Sequence, residues 1–244
     1  MKIIFLGTSH GFAEKNRNCQ SILIETGADN AYLFDIGAPV ATILQNIEFD
    51  FKRIKSIFVS HLHGDHMNGL MDVLRGAYYL DLNNLKIYLP EQRGIDACET
   101  YFSMTSFKWG RDRFSYELVC EGEFYVDDSI RVTAIHTDHM DNTTNVSYGF
   151  FIEAEGKKVY ITGDLHRTLK DFPTFLYENR VDFVVTECAH FSAEDLFKRL
   201  PKCKCEKLAL IHVYPFDKYD EFERLKSNLD FEVLTPDDLD VVEI

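Results

Sequence analysis

Residues 60–66 read "SHLHGDH" and follow directly on the apolar run "IKSIFV" at 54–59, so that His61, His63, Asp65 and His66 lie within six positions. A lone histidine is commonly a satisfied polar residue, but three imidazoles and a carboxylate this close point to metal ligation. The apolar run reads as a strand, and Gly64 and Gly69 let the segment beyond it turn tightly. In a loop leaving a strand, His61 and His63 alternate around one residue and face one centre. Asp65 and His66 come a turn later and face a neighbouring one. Two adjacent metal sites can form, with imidazole and carboxylate donors that suit zinc and admit iron or manganese.

A four-residue cluster does not complete two metal shells, so further ligands are expected at other strand ends. "RVTAIHTDH" ends in His139, "KVYITGD" in Asp164 and "KLALIH" in His212. The segments around them support that placement. Strand-like runs "KIIFLG", "SILIETG", "AYLFDIG", "SIFVSH" and "KIYLP" fill the first half, with helical periodicity in "APVATILQNI" and "NGLMDVLRGAYYL". In the second half "YELVCEGEFYV", "SIRVTAIHT", "SYGFFIEAEGKKVYITGD", "DFVVTEC" and "KLALIHV" read as strands, the third a hairpin turning at Gly156. "LKDFPTFLYEN", "AEDLFKRLP" and "KYDEFERLKSN" read as helices whose charges lie on solvated outer faces. Two series of strands, each joined with helices, predict an α/β fold of two facing sheets with helices outside. At 244 residues, without repeat or linker, residues 1–244 are expected to form a single domain.

These motifs resemble the metallo-β-lactamase-fold superfamily of metal-dependent hydrolases. "SHLHGDH" matches its His-x-His-x-Asp-His signature in full, "ITGDL" is similar to its Gly-Asp motif, and "LFDIG" to the Asp-x-Gly turn before the signature. The resemblance runs in order from "FLGTSHG" to "LIHVYP" and implies a four-layer αββα sandwich. It also implies two Zn2+ per chain, with Mn2+ or Fe as substitutes. One metal would be held by His61, His63 and His139, the other by Asp65, His66 and His212, with Asp164 bridging. A hydroxide between metals ~3.5–4 Å apart would be the nucleophile, oriented by Asp65.

His136 competes with His139, and the family pattern favours His139. Asp35 would orient a ligand histidine from behind. His190, in "TECAHFS", is either a catalytic proton donor or phosphate-holding group, as in related phosphodiesterases, or a polar residue at a helix start. Glu187 reads as a brace. Leu165 departs from the threonine or serine usual after the aspartate, His166 faces either the site or solvent, and His10 either lines the cleft or is a plain loop residue.

Within the superfamily, "FLGTSHG", "NRNCQSILIE", "FVSHLHGDHMNGL" and "SYGFFIE" resemble the phosphodiesterase branch that includes the RNase Z type of tRNA 3′-end endonuclease. That type's long basic arm has no counterpart beyond the short "EAEGKK" turn, and the net charge is −14. The expected partner is therefore a small-molecule phosphoester, a cyclic nucleotide or another small ester, with no long nucleic acid and no membrane, and a homodimer is left open. A thioesterase or lactonase of the glyoxalase II type is the rival enzyme, and a non-catalytic metal-binding regulatory protein the rival from another class. In "YFSMTSFKWGRDRFSY" (101–116), aromatics interleave with Lys108, Arg111 and Arg113, which suits either a substrate flap or a packing element. The short apolar run at the N-terminus predicts no signal peptide and a cytoplasmic location, where the six scattered cysteines would be reduced and "CKC" at 203–205 is a weak zinc signal.

Overall fold

Strands pair wherever apolar runs meet turn residues, and the computed structural model, which describes residues 1–141 and 143–244, arranges them in two seven-stranded sheets. The first contains β1 (Lys2–Gly7), β2 (Ser21–Glu25), β3 (Ala31–Phe34), β4 (Ile54–Phe58), β5 (Leu85–Leu89) and β6 (Phe114–Leu118) side by side in that order. The second contains β7 (Gly122–Val126), β8 (Arg131–Thr137), β9 (Ser147–Ala154), β10 (Lys157–Ile161), β11 (Val181–Cys188), β12 (Cys205–Val213) and β13 (Glu232–Leu234), again in order. A last strand, β14 (Val241–Glu243), returns to pair antiparallel with β1. From β3 to β6 and from β10 to β13 the pairing is parallel. Parallel strands buried on both faces read as continuous apolar runs, which is why "KLALIHV" and "DFVVTEC" lack alternation.

Helices cover the outer faces. α1 (Val40–Asn46), α2 (Gly64–Met67), α3 (Leu70–Tyr79) and α4 (Gln92–Met104) belong to the first half, α5 (Ala193–Phe197) and α6 (Lys218–Leu225) to the second. Leu70, Val73, Leu74 and Ala77 of α3 and Cys98 and Phe102 of α4 pack against the outer face of the first sheet. Leu196, Phe197 and Phe222 close the corresponding core of the second. Between the sheets Phe5, Tyr32, Phe34, Phe58, Phe150, Phe183 and Ile211 form the central layer. The predicted four-layer αββα sandwich is the observed fold.

Two features hold the sheets in register. Phe58 stacks on Phe34 (5.0 Å) and Tyr88 (5.2 Å) of its own sheet and meets Tyr125 (5.1 Å) and Phe150 (6.2 Å) of the other. Asp127 accepts hydrogen bonds from the hydroxyls of Tyr32 in the first sheet and Tyr125 in the second, both at 2.7 Å, and from the backbone N–H groups of Ser129 and Ile130.

Two expectations fail for local reasons. "YELVCEGEFYV" is two strands in different sheets, since the chain crosses between β6 and β7 and Gly122 takes a positive φ of 94°. "LKDFPTFLYEN" forms only a 3-10 turn over Thr174–Tyr177, because Pro173 supplies no N–H inside the segment. The stretch 101–116 is the end of α4, a loop and β6. Arg111 pairs with Glu99 and lies over Phe102, and Arg113 pairs with Asp81, so both arginines serve packing.

Candidate metal centre

The end of β4 and the N-terminal turn of α2 place the first set of donors. His61 is fully buried and Asp65 and His66 are buried beside it. Behind them Asp35, at the end of β3 with φ 57°, accepts from the Ser60 N–H (2.7 Å), the Ser60 hydroxyl (3.0 Å) and His66 Nδ1 (2.7 Å). That carboxylate fixes the imidazole with Nε2 forward, the arrangement that prepares a metal ligand. Gly37 is required here, because a Cβ would come 2.3 Å from the Asp65 carbonyl.

The second sheet brings the rest. His139 follows β8, Asp164 follows β10, and His212 lies near the end of β12 with φ 49°, its N–H donating to the Thr8 carbonyl at 2.8 Å. Two groupings result. In one, His63 Nδ1 is 2.9 Å from His61 Nε2 and 3.3 Å from His139 Nε2, and Asp164 Oδ2 is 3.7 and 3.6 Å from those two Nε2 atoms. In the other, Asp65 Oδ2 is 3.0 Å from His212 Nε2 and 3.3 Å from His66 Nε2, and Asp164 Oδ1 is 3.8 and 3.4 Å from the same pair. Asp164 thus turns one oxygen to each group.

The donor set fits divalent metal. A tetrahedral shell with bonds of about 2.0–2.1 Å spaces neighbouring donors about 3.3 Å apart, the range seen in both groupings. His66 Nε2 is buried among the carboxylates without a hydrogen-bond partner, which a cation would supply. Burial drives the His61 imidazole well below its ordinary pKa and so keeps it neutral, as a ligand must be. Burial opposes ionisation of Asp164, yet His212, His66 and His61 hold its carboxyl well below the usual range.

His190 stands at the rim. Its Nε2 is 3.9 Å from Asp164 Oδ2 and its ring centroid 4.5 Å from that of His139. Burial opposes its charge, but the hydrogen bond from Nδ1 to Glu187 (2.8 Å) and the Glu187 charge push its pKa up to about 9. Glu187 also accepts from the N–H groups of Leu165, Ala189 and His190, which makes it the brace of both loops.

The remaining histidines lie elsewhere. His136 is exposed and turned to Asp138, His166 bonds to Thr168 and contacts Asp141, and His10 pairs with Glu14 against the Tyr214 ring. Cys203 and Cys205 stand apart from the His/Asp groupings found among the described residues, and burial pushes both thiols up to about 12. Two contributors escaped sequence reading. Ser60, whose hydroxyl also lies 3.0 Å from His61 Nδ1, is adjacent to the signature and was open to assignment. Lys218 is buried beneath the His190 loop although its helix reads as solvated.

Comparison with known proteins gives a concordant picture. The family model for the anti-Pycsar protein Apyc1 matches residues 1–232. Ribonuclease Z of Lactococcus lactis is 32% identical over 153 residues, covering 59% of this chain and 47% of that protein. The chain spans about half the length of the curated relatives it matches at this level. Human tRNase Z, short form, superposes with a TM-score of 0.77 at 19% identity, covering 100% of this chain and 99% of that one. Zinc-bound PqqB from Methylobacterium extorquens superposes with a TM-score of 0.75 at 13% identity, covering 100% of both chains. At these identities the structures show the fold, and with the sequence matches they place the chain on the RNase Z-like branch of the metallo-β-lactamase superfamily.

One expectation is overturned by these matches. A long nucleic acid was excluded as partner, yet the matched relatives are ribonucleases by name and a tRNase shares the fold along the whole chain. The net charge of −14 is a sum over the whole surface, so by itself it does not exclude a nucleic acid at the metal centre. Among the described residues no helix is long and apolar enough to cross a membrane.

Proposed function

The chain belongs to the anti-Pycsar protein Apyc1 family, and from that premise we propose that this metal-dependent hydrolase cleaves phosphodiesters at a dinuclear centre. His61, His63 and His139 would hold one zinc ion and Asp65, His66 and His212 the other, with Asp164 shared. The observation that carries the reading is the division of Asp164, one oxygen to each group of donors. When bound, the ions supply Lewis-acid polarisation of the phosphoryl group and lower the pKa of water towards neutrality.

The chain's own residues do the rest. Asp65, in contact with His212 and His66, would orient the attacking water, whose proton passes to solvent. His190 has Nδ1 committed to Glu187, leaving Nε2 to donate a proton to the departing oxygen. A proton donor at this place favours a phosphodiester with an alkoxide leaving group over a thioester, whose thiolate leaves without one.

The test is metal content by elemental analysis together with hydrolysis of bis(p-nitrophenyl) phosphate, RNA bearing a 3′ extension, a thioester and a lactone. About two metals per chain are expected, with diester hydrolysis that falls at least about a hundredfold in Asp164→Ala. One metal or none, or turnover indifferent to Asp164, would sink the dinuclear reading. Preference for the thioester or lactone would move the chain to acyl chemistry.

A further inference from the structure

The loop after β11 carries His190, and both signs of buried charge hold it. Glu187, 2% exposed, takes up the N–H groups of Ala189 and His190. The loop's carbonyls go to Lys218, 9% exposed on the first turn of α6, whose Nζ donates to Cys188 O (2.7 Å), Phe191 O (2.7 Å) and Ala189 O (3.4 Å). An ammonium has three donors and no acceptor, so these three carbonyls exhaust it. A flexible four-carbon stem without its own anchor would not place a charge so narrowly. Here α6 is fixed by Phe222, fully buried and stacked on Phe197 of α5 at 5.8 Å.

We infer that Lys218 is a positioning residue for His190, clamping the carbonyl side of the loop while Glu187 clamps the amide side, so that Nε2 is held at the leaving-group side of the metal centre. The inference rests on the diesterase reading and deepens it. In the step concerned, the water oxygen bonds to phosphorus and the P–O bond to the leaving group breaks. The bonding pair stays on that oxygen, which takes the proton from His190 Nε2. A monoester and an alcohol result, and neutral His190 regains its proton from solvent. A leaving group that is stable as an anion does not need this proton, whereas an alkoxide does.

The experiment therefore compares two diesters in the same metal-loaded preparations: bis(p-nitrophenyl) phosphate, which needs no acid, and a thymidine dinucleotide, which does. The ratio of the two rates is independent of how much protein is folded. In His190→Ala the dinucleotide-to-aryl ratio should fall about a hundredfold, and in Lys218→Met at least about tenfold. In the double variant Lys218→Met should add less than about twofold to the His190→Ala loss. A ratio that drops with His190→Ala but not with Lys218→Met overturns the role of Lys218 alone. An unchanged ratio in His190→Ala, or no turnover of either diester, removes the acid reading and the positioning claim with it. Full additivity would also overturn the claim.

A readout free of activity accompanies it. In the metal-free protein, amide exchange at Ala189 and His190 should rise at least tenfold in Lys218→Met while that of β1 stays put. Equal exchange would refute the clamp. Should Lys218→Met not fold, Lys218→Arg keeps the charge, cannot cap three converging carbonyls with a planar group, and is read by the same ratio and exchange rates.

Discussion

Replacing Asp35 by asparagine exchanges one carboxylate oxygen for an NH2 group at almost unchanged volume, yet it should disable the candidate metal ligand His66 that it hydrogen-bonds. The carboxylate is 2% exposed, and its Oδ1 takes the Ser60 N–H while Oδ2 faces the Ser60 hydroxyl and His66 Nδ1. In Asp35→Asn the amide keeps its oxygen on the Ser60 N–H, because the reverse would set two donors against each other. The NH2 group then faces His66 Nδ1, which must become an acceptor. The imidazole proton moves to Nε2, the atom that lies 3.3 Å from Asp65 and 3.4 Å from Asp164, and there it blocks coordination. Loss of such a partner lowers metal affinity by about 10–100-fold, which is about 1.4–2.7 kcal/mol. Competition for zinc against a chromophoric chelator measures it, and nitrogen chemical shifts of the imidazole report the tautomer in the metal-free protein. Affinity within threefold of wild type, with the tautomer unchanged, would refute the reasoning.

Burial opposes ionisation of Asp127, but the hydroxyls of Tyr125 and Tyr32 and the N–H groups of Ser129 and Ile130 outweigh it and lower its pKa. A depressed carboxyl contributes stability in full above its unfolded pKa of about 3.9 and loses it as pH falls through the folded value, so the advantage of wild type over Asp127→Asn in urea unfolding should be present at pH 7 and shrink below about pH 4. A difference that stays constant from pH 7 to 3 would contradict this. Phe58→Ala, at the aromatic crossing between the sheets, should cost about 3–5 kcal/mol by the same assay, and a loss under about 1 kcal/mol would show that the cluster carries little.

The two-sheet sandwich and the candidate donors at strand ends were legible because both depend on chain-local signals. Apolar runs of strand length ended in histidine or aspartate, and "SHLHGDH" concentrates four donors in seven residues. The separation of His139 from His136 came from the family pattern, and only the side-chain directions put His139 beside Asp164 and His136 on the surface. What stayed hidden was set by tertiary contact. Lys218 looks like any lysine at the start of a charged helix, since nothing in "KYDEFERLKSN" reveals three carbonyls from another loop. The crossing between β6 and β7 was concealed because one apolar run serves two sheets. The exclusion of a long nucleic acid failed for a different reason: besides the missing basic arm it used total charge, a sum over the surface, to judge a contact made at one place.

The donors are divided between the sheets. The segment after β4 contributes two groups to each proposed shell, and the strand ends of the other sheet contribute the remainder. Neither half of the chain contains a finished shell, so the two halves, made as separate fragments, should each hold metal poorly and regain it on reunion. Metal would in this sense be a rivet through the seam, and withdrawing it should lower the stability of the whole sandwich.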